Sequence, residues 1–362
     1  MKIENTMQLS RKNNFDLIRV LAALQVVYVH ASKHLFASTP KSDTYLYYIN
    51  EIIEKFPGVP IFFTVSGFLV YWSLERNQNN LTKFFKNRLL RIYPGLWACL
   101  LITIVLLLIF GAVEVEDFGN KQLYIWLFSQ LTFFQFYTPD IIRDFGVGTP
   151  NGSLWTITVE LQYYLILPII FFLLTKLKKK LYKNICLFII ILSSLIFAYF
   201  IKNNYHVDTI INKLAAVTVL TYLYNFLFGI LIFINWNSIK KYIENKAIYW
   251  LSFYLIYIIL FYFIGNMYGK GYVPNLYGVT GFLLLSILTI SLAYSKPILI
   301  FLTKGNDISY GVYIYHMLVI NTLIELNINT KISFIFSFIC SILLGILSWR
   351  LIEKKALKFK SR

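Results

Sequence analysis

Charged side chains are scarce in this chain. They make up 14% of its 362 residues, hydrophobic ones make up 58% and the mean hydropathy is +0.63, whereas a soluble domain carries about 25% charge. That shortage excludes an ordinary soluble globular protein and leaves a polytopic membrane protein. Acidic residues are the scarcer sign, 17 against 34 basic, for a net charge of +17. Such a surplus elsewhere signals nucleic acid; here its placement points to membrane topology, and no nucleic-acid partner is expected. Cysteine is limited to Cys99, Cys186 and Cys340, all within apolar runs, which excludes a disulfide framework and a cysteine metal knot. There is no Gly-rich phosphate loop and no nucleophile-elbow serine. His34 stands one turn beyond His30, but no third ligand accompanies the pair, so no metal site is expected. The first apolar run is long enough to span and lacks a small-residue cleavage site, so it is expected to remain as a helix and not to be removed as a leader.

What the chain has in abundance is long apolar runs. Ten can be placed, at 15–36, 57–76, 91–111, 155–175, 184–201, 214–235, 247–265, 276–294, 308–326 and 332–352, each long enough to cross a hydrocarbon core of about 30 Å. Many of the 27 Tyr and 7 Trp fall at the ends of these runs, where amphipathic rings favour the headgroup zone. The expected fold is all-α, a single transmembrane domain over 1–362. An eleventh stretch, 122–137, is apolar but below spanning length.

Charge placement orients the chain. With ten spans, the segments on the N-terminal side hold clusters such as Arg76 to Arg91, Lys176 to Lys183 and Arg350 to Arg362, in all 24 of the 34 basic residues. The positive-inside rule makes that side, and both termini, cytoplasmic. A spanning 122–137 would throw Lys176 to Lys183 outside. That stretch is therefore read as a re-entrant or interfacial helix within an external loop, 112–154.

One run carries an anomaly. FDLIRVLAALQVVYVHASKHLF holds Arg19 and His30 eleven residues apart, about 20° off three full turns and about 16 Å along the axis. Both project from one face, and intramembrane ionisable groups on a stripe face a bundle interior or an aqueous cavity. Asp16, three residues before Arg19, is a local pairing candidate. Glu160 falls at a depth similar to His30 in the outer half of its helix. If those helices touch, a carboxylate beside an imidazole makes an acid/base pair; a hydrogen-bonded core histidine and a packing carboxylate are the plain alternatives.

Four further groups stand out. Arg88 and Arg91, in KFFKNRLLRIYP, share a helical face and suit a phosphate, although juxtamembrane arginine also binds lipid headgroups. Ser66-Gly67-Phe68 lies in mid-membrane, where Gly permits close packing and Ser hydrogen-bonds. Asn151, Ser153 and Trp155 run from an external turn into a helix, placed to meet a polar ligand or cap the helix. Tyr310, Tyr313 and His316 share a face of the ninth helix, with core packing as the alternative.

FDLIRVLAALQVVYVH, FFTVSGFLV, FFKNRLLRIYPGLW, NGSLWTITVELQYYL and ISYGVYIYHMLV, in that order and continuing to SWRLIEKKALKF, resemble the blocks of the acyltransferase 3 family of integral membrane O-acyltransferases. The ordered set is the specific signal, and it covers essentially the whole chain. The resemblance implies acyl transfer, usually of acetyl, from cytoplasmic acyl-CoA to a hydroxyl of a carbohydrate at the membrane of a bacterium. No permanently bound cofactor is implied; acetyl-CoA is a co-substrate. The family's Arg-x10-His pattern falls on Arg19 and His30, with the histidine catalytic, its Arg-x-x-Arg pattern on Arg88 and Arg91 at the CoA end, and its acidic position on Glu160. Many relatives carry a C-terminal hydrolase-like domain; this chain is expected to act without one, by direct transfer.

The expected assignment is therefore His30, Glu160 and Arg19 as catalytic, with Arg88, Arg91, Arg19 and Ser66 toward the acyl-CoA. Asn151, Ser153, Trp155, His316 and Tyr313 fall toward the carbohydrate. A flippase or transporter for a lipid-linked sugar is the rival reading, but should show paired interrupted helices in corresponding halves, and none is visible. A non-catalytic scaffold has no use for Arg19 and His30 on one stripe.

Overall fold

The computed structural model describes residues 9–10, 12–36, 44–77, 80–203, 209–263, 274–299, 303 and 305–360. Every regular element among them is helical. The main helices are α1 Phe15–Leu35, α2 Thr44–Glu54, α3 Gly58–Arg76, α4 Leu81–Ile109, α5 Lys121–Leu131, α6 Trp155–Lys176 and α7 Lys180–Asn203. They continue as α8 Ile210–Ala216, α9 Val219–Ile243, α10 Ala247–Phe263, α11 Leu276–Ala293, α12 Ser309–Glu325 and α13 Thr330–Ser348. Eight helical segments among the described residues have 18 residues or more and are apolar enough to cross a bilayer. The expected runs at 247–265 and 308–326 form α10 and α12, 17 residues each, at the short end of the spanning range. Residues 264–265 of the first of these runs and both chain termini lie outside the described residues, as do Lys2, Arg11, Lys304 and Arg362.

Two expectations are corrected locally. The helix expected over 122–137 is α5, only 11 residues, begun by Asn120 accepting from Gln122 N. It ends at Leu131 because Phe134 N turns back to Ser129 O at 3.2 Å and Gln130 Nε2 reaches Tyr137 O at 3.2 Å. It is too short to span. The third run starts ten residues early: Asn80 Oδ1 accepts from Lys83 N at 2.9 Å, a helix cap, so the basic stretch KFFKNRLLR is already helical.

The single domain expected over 1–362 contains two compact units interleaved along the chain. One comprises Met1–Ile18, Val59–Phe84 and Val159–Gly305, the other Arg19–Gly58, Phe85–Thr158 and Asn306–Arg362. In the first unit α7 packs on α9, and α11 on both α9 and α10. Glycines bring α3 against α9: a Cβ at Gly67 would lie 1.9 Å from Phe226 O, and one at Gly229 would lie 2.2 Å from Thr64 O. Phe226 sits between Phe63 and Tyr163, with ring centroids 4.4 and 4.0 Å away. Asn14 ties the start of α1 to the turn after α11, through its N–H to Ala293 O at 2.9 Å and its side chain to Ser295 O at 3.0 Å.

The second unit shows how a membrane helix sorts its faces. On α13, Ser333, Ser337, Ser341 and Gly345 form a buried stripe, whereas Ile335, Phe336, Ile339, Leu343 and Leu347 are exposed. Water would penalise such an apolar exterior; hydrocarbon does not, and packing through small residues is what drives helices together there. The stripe meets α12, where Gly311 approaches so closely that a Cβ on it would lie 2.8 Å from Gly345 Cα.

Candidate active site

Arg19 and His30 both belong to the second unit, and both find partners on one other stretch of chain. Arg19 Nη1 donates to Asp307 Oδ2 at 3.0 Å, just before α12, and His30 meets His316 halfway along α12. The two pairs are met in the same order along both helices, so α1 and α12 run parallel. Ala31 packs with Met317 and Ile320 beyond the second pair.

At the Arg19 end several charges converge on one carboxylate. Arg91, from α4, also bonds Asp307 Oδ2, and its other terminal nitrogen lies 3.7 Å from Glu353 Oε2. Ser309 donates its hydroxyl, and its N–H at 3.3 Å, to Asp307 Oδ1. The Arg91 guanidinium carbon stands 5.9 Å from the Tyr310 ring and 5.7 Å from that of Trp349, within cation–π range. Glu353 is turned inward by a π-helical turn, Trp349–Glu353, a wider turn that shifts the register after α13, and Ser348 Oγ donates to it at 2.9 Å. Burial pushes the Asp307 carboxyl up, but Arg91, Arg19 and the bonds from Ser309 outweigh it and hold it below the usual carboxylate range. The Lys360 ammonium is pushed down to about 8, first by burial and then by the charges of Arg88, Arg91 and Arg19. Four cations thus share one neighbourhood with two carboxylates, a setting suited to polyanionic phosphate.

At the other end lies a pair of imidazoles. His30 Nδ1 is 2.7 Å from His316 Nε2, and the rings are inclined by only 17° with centroids 5.0 Å apart. One ring radius on each side of the nitrogen contact accounts for that separation, so the rings lie edge to edge in nearly one plane and are not stacked face to face. His316 Nδ1 is bonded to the carbonyl oxygen of Tyr313. His316 is fully buried, while His30 keeps partial exposure. Both nitrogens of His316 are in use, which leaves neither for a substrate hydroxyl.

The residues read as facing a carbohydrate divide. Asn151 Nδ2 donates to Ile314 O at 2.7 Å and Asn151 Oδ1 accepts from Ser153 Oγ at 2.9 Å. The Tyr313 hydroxyl shares a 2.7 Å bond with Thr156 Oγ1 and lies 3.1 Å from Ser153 O. These form one buried network. Asn151 also lines a small cavity with Thr103, Trp126, Gln130 and Gln135. Trp155 opens α6 and is half-buried. Glu160 belongs to the first unit, where Ser66 Oγ donates to it at 3.1 Å and the Tyr164 hydroxyl donates to the same oxygen. Ser66 and Glu160 are therefore brought together. The hydrogen-bond partner found for His30 is His316, and those found for Glu160 are Ser66 and Tyr164. Arg88 stands one turn before Arg91 on α4. Among the described residues no group of three or more His, Cys, Asp or Glu is placed to hold a metal ion.

The order of these elements along the chain has a counterpart in known proteins: residues 12–351 match the acyltransferase domain that defines the acyltransferase 3 family. The chain belongs to the acyltransferase 3 family. It is 30% identical to "Nodulation protein 10" of Rhizobium leguminosarum bv. viciae over 97% of this chain and 94% of that one. It is 28% identical to the "O-acetyl transferase" of Shigella phage Sf6 over 96% of both chains. A partial match, 26% identical over 46% of this chain and 25% of the other, is to "Peptidoglycan O-acetyltransferase OatA" of Listeria monocytogenes. No solved structure matches.

Three groups of this acyltransferase 3 chain escape a reading of its sequence: Asp307, Glu353 and Lys360. Asp307 precedes Ser309 at the start of a helix, a pattern that reads as capping. Glu353 stands in IEKK and Lys360 in a basic tail, where charges read as solvated. The one usable signal was that Arg19 needs a counter-ion from somewhere.

Proposed function

We propose that this membrane acyltransferase moves an acetyl group, as the usual acyl, from cytoplasmic acyl-CoA to a hydroxyl of a cell-surface polysaccharide or its lipid-linked precursor. In this reading the chain sits in the cytoplasmic membrane of a bacterium, crosses it ten times and keeps both termini inside. The likeness to the phage O-acetyl transferase and the Listeria peptidoglycan O-acetyltransferase supports O-acetyl transfer. The observation that carries the reading is the arrangement along α1: a cluster of guanidinium groups around Asp307 at one end, and an imidazole eleven residues away at the other. The phosphates of acyl-CoA bind Arg88 and Arg91, with Arg19 lining the path, and the thin pantetheine arm carries the thioester toward His30.

His30 takes the proton from the acceptor hydroxyl as its oxygen attacks the thioester carbonyl. The tetrahedral intermediate collapses, the carbon–sulfur bond breaks and the thiolate leaves, taking up the proton held by His30. The outcome is an ester and free CoA thiol. Cations near the path favour the developing negative charge. Glu160, with Ser66 and Tyr164 bonded to it, is assigned to the acid/base chemistry of the acceptor, and Asn151, Ser153, Tyr313 and Trp155 to shaping the acceptor side.

The test uses membrane vesicles containing the protein, acetyl-CoA labelled in the acetyl group, and the native glycan. Label entering the glycan with stoichiometric release of thiol is the expected result, and His30→Ala is expected to abolish it at normal membrane insertion. Full transfer by that variant, or glycan movement across the membrane with no thiol release, overturns the reading.

A further inference from the structure

We infer that His316 is a positioning residue: it fixes the tautomer of His30 so that His30 Nε2 is the nitrogen that accepts the substrate's proton. The inference rests on the acyl-transfer reading above and adds to it a residue whose chemistry is set entirely by hydrogen bonds.

The direction of each bond follows from what the atoms are able to do. The carbonyl oxygen of Tyr313 only accepts, so His316 Nδ1, bonded to it, carries a hydrogen. A neutral imidazole with its hydrogen on Nδ1 has a bare lone pair on Nε2. That lone pair faces His30 Nδ1 at 2.7 Å, a distance that requires a donor opposite an acceptor. His30 Nδ1 is therefore the donor, and the lone pair of His30 is left on Nε2. The backbone of α12 thus dictates, through two imidazoles, which nitrogen of His30 is basic. The nearly coplanar rings give the N–H···N bond the in-plane approach that an imidazole lone pair demands.

Burial assigns the order of the two residues. His316 is fully enclosed and both its nitrogens are committed, whereas His30 retains exposure and one free nitrogen. Of the pair, His30 is the group that meets substrate and His316 the group behind it. The arrangement follows the logic of a nucleophile, a base and an orienting group, with a neutral imidazole in place of the usual carboxylate. When His30 takes the substrate's proton on Nε2, its Nδ1–H stays bonded to the His316 lone pair, and the Tyr313 carbonyl supports the partial positive charge passed along. No proton has to leave the pair before the thiolate reclaims it. His34, one turn beyond with its ring 6.1 Å away, and Lys33 are the other titratable groups near His30 on its own helix.

The experiment compares His316→Phe with His316→Gln in the full-length protein. Phe keeps a ring but has no acceptor; Gln offers a side-chain oxygen near the position of Nε2. His316→Phe is expected to lower kcat about 100- to 1,000-fold, somewhat less than a misassigned tautomer costs a serine protease, with KM for acetyl-CoA within about threefold. His316→Gln is expected to recover kcat to within about tenfold of wild type. A second readout is independent of turnover: diethyl pyrocarbonate modifies the bare nitrogen of an imidazole, and 1H–15N NMR of protein carrying 15N-labelled histidine shows which ring nitrogen holds the adduct. Wild type and His316→Gln are expected to carry it on His30 Nε2, and His316→Phe to carry it on either His30 nitrogen. If wild type transfers acyl groups and His316→Phe transfers them at an unchanged kcat, or if the adduct pattern is the same in all three proteins, the positioning role is overturned while acyl transfer stands. If wild type transfers nothing, acyl transfer falls, and the adduct pattern alone decides the tautomer. Should His316→Phe fail to fold, His316→Gln with the adduct on His30 Nδ1 overturns the role.

Discussion

Arg19 donates to Asp307 at 3.0 Å across 288 residues of sequence. The same carboxylate oxygen takes Arg91, so a single acidic side chain holds together guanidinium groups from two helices. Asp307 is the keystone of the cationic end of the site.

Replacing Asp307 with Asn removes the carboxylate that Arg19 and Arg91, both mostly buried, share, while Glu353 Oε2 stays 3.7 Å from Arg91. Breaking a buried pair in this way costs roughly 3 kcal/mol, read as a lower Tm in detergent at neutral pH. The Asp307 carboxyl is held below its ordinary range, so its contribution is complete above that range and disappears as pH falls through the lowered value. The gap between wild type and Asp307→Asn is expected to persist at mildly acid pH and close only at strongly acid pH. Equal Tm values at neutral pH count against this account.

Lys360 predicts an alkaline limb for anion binding. Its ammonium is pushed down to about 8, so a protonated Lys360 is present below that pH and is lost above it. A bound polyanion pulls a proton back on. Affinity for inorganic pyrophosphate, followed by thermal shift, is expected to weaken as pH rises past this value. Lys360→Gln is expected to bind roughly fivefold more weakly at neutral pH, equivalent to about 1 kcal/mol, and to lose the pH dependence. A Lys360→Gln profile that parallels wild type contradicts it.

Gly67 is expected to tolerate no side chain. A Cβ there would lie 1.9 Å from the Phe226 carbonyl oxygen, backbone against backbone, so α3 and α9 must separate. Gly67→Ala should cost about 1–3 kcal/mol or more by overpacking, seen as a lower Tm and poorer recovery of folded protein from membranes. Unchanged Tm and yield would show that the helices are not in this contact.

Asn321 straps the end of the 112–154 loop to α12. It is fully buried, donates to Thr149 O and Pro150 O at 2.9 Å each and accepts from Val147 N at 3.2 Å; Glu325 adds a bond from Gly146 N at 2.6 Å. Asn321→Ala leaves two carbonyls and an amide unsatisfied, at about 1–3 kcal/mol. Protease cleavage within 143–150 is expected to speed up about tenfold, in line with local opening made easier. Unaltered cleavage would show the strap to be held by other contacts.

Much of this protein was legible locally. Apolar runs long enough for a bilayer gave the helices, because hydrocarbon forces each backbone to satisfy itself within its own segment. A three-turn spacing put Arg19 and His30 on one stripe, because helical geometry is the same in any fold. Asn80 and Gln130 moved two boundaries, because a single side chain at a helix end competes with the backbone. The partners lay beyond such rules. Asp307 as the common counter-ion, Glu353 turned inward by a wide helical turn and His316 behind His30 come from stretches nearly three hundred residues away. Contact between helices depends on which small faces fit, such as Gly311 on Gly345. Helix periodicity says which way a side chain points, and packing says what it meets there.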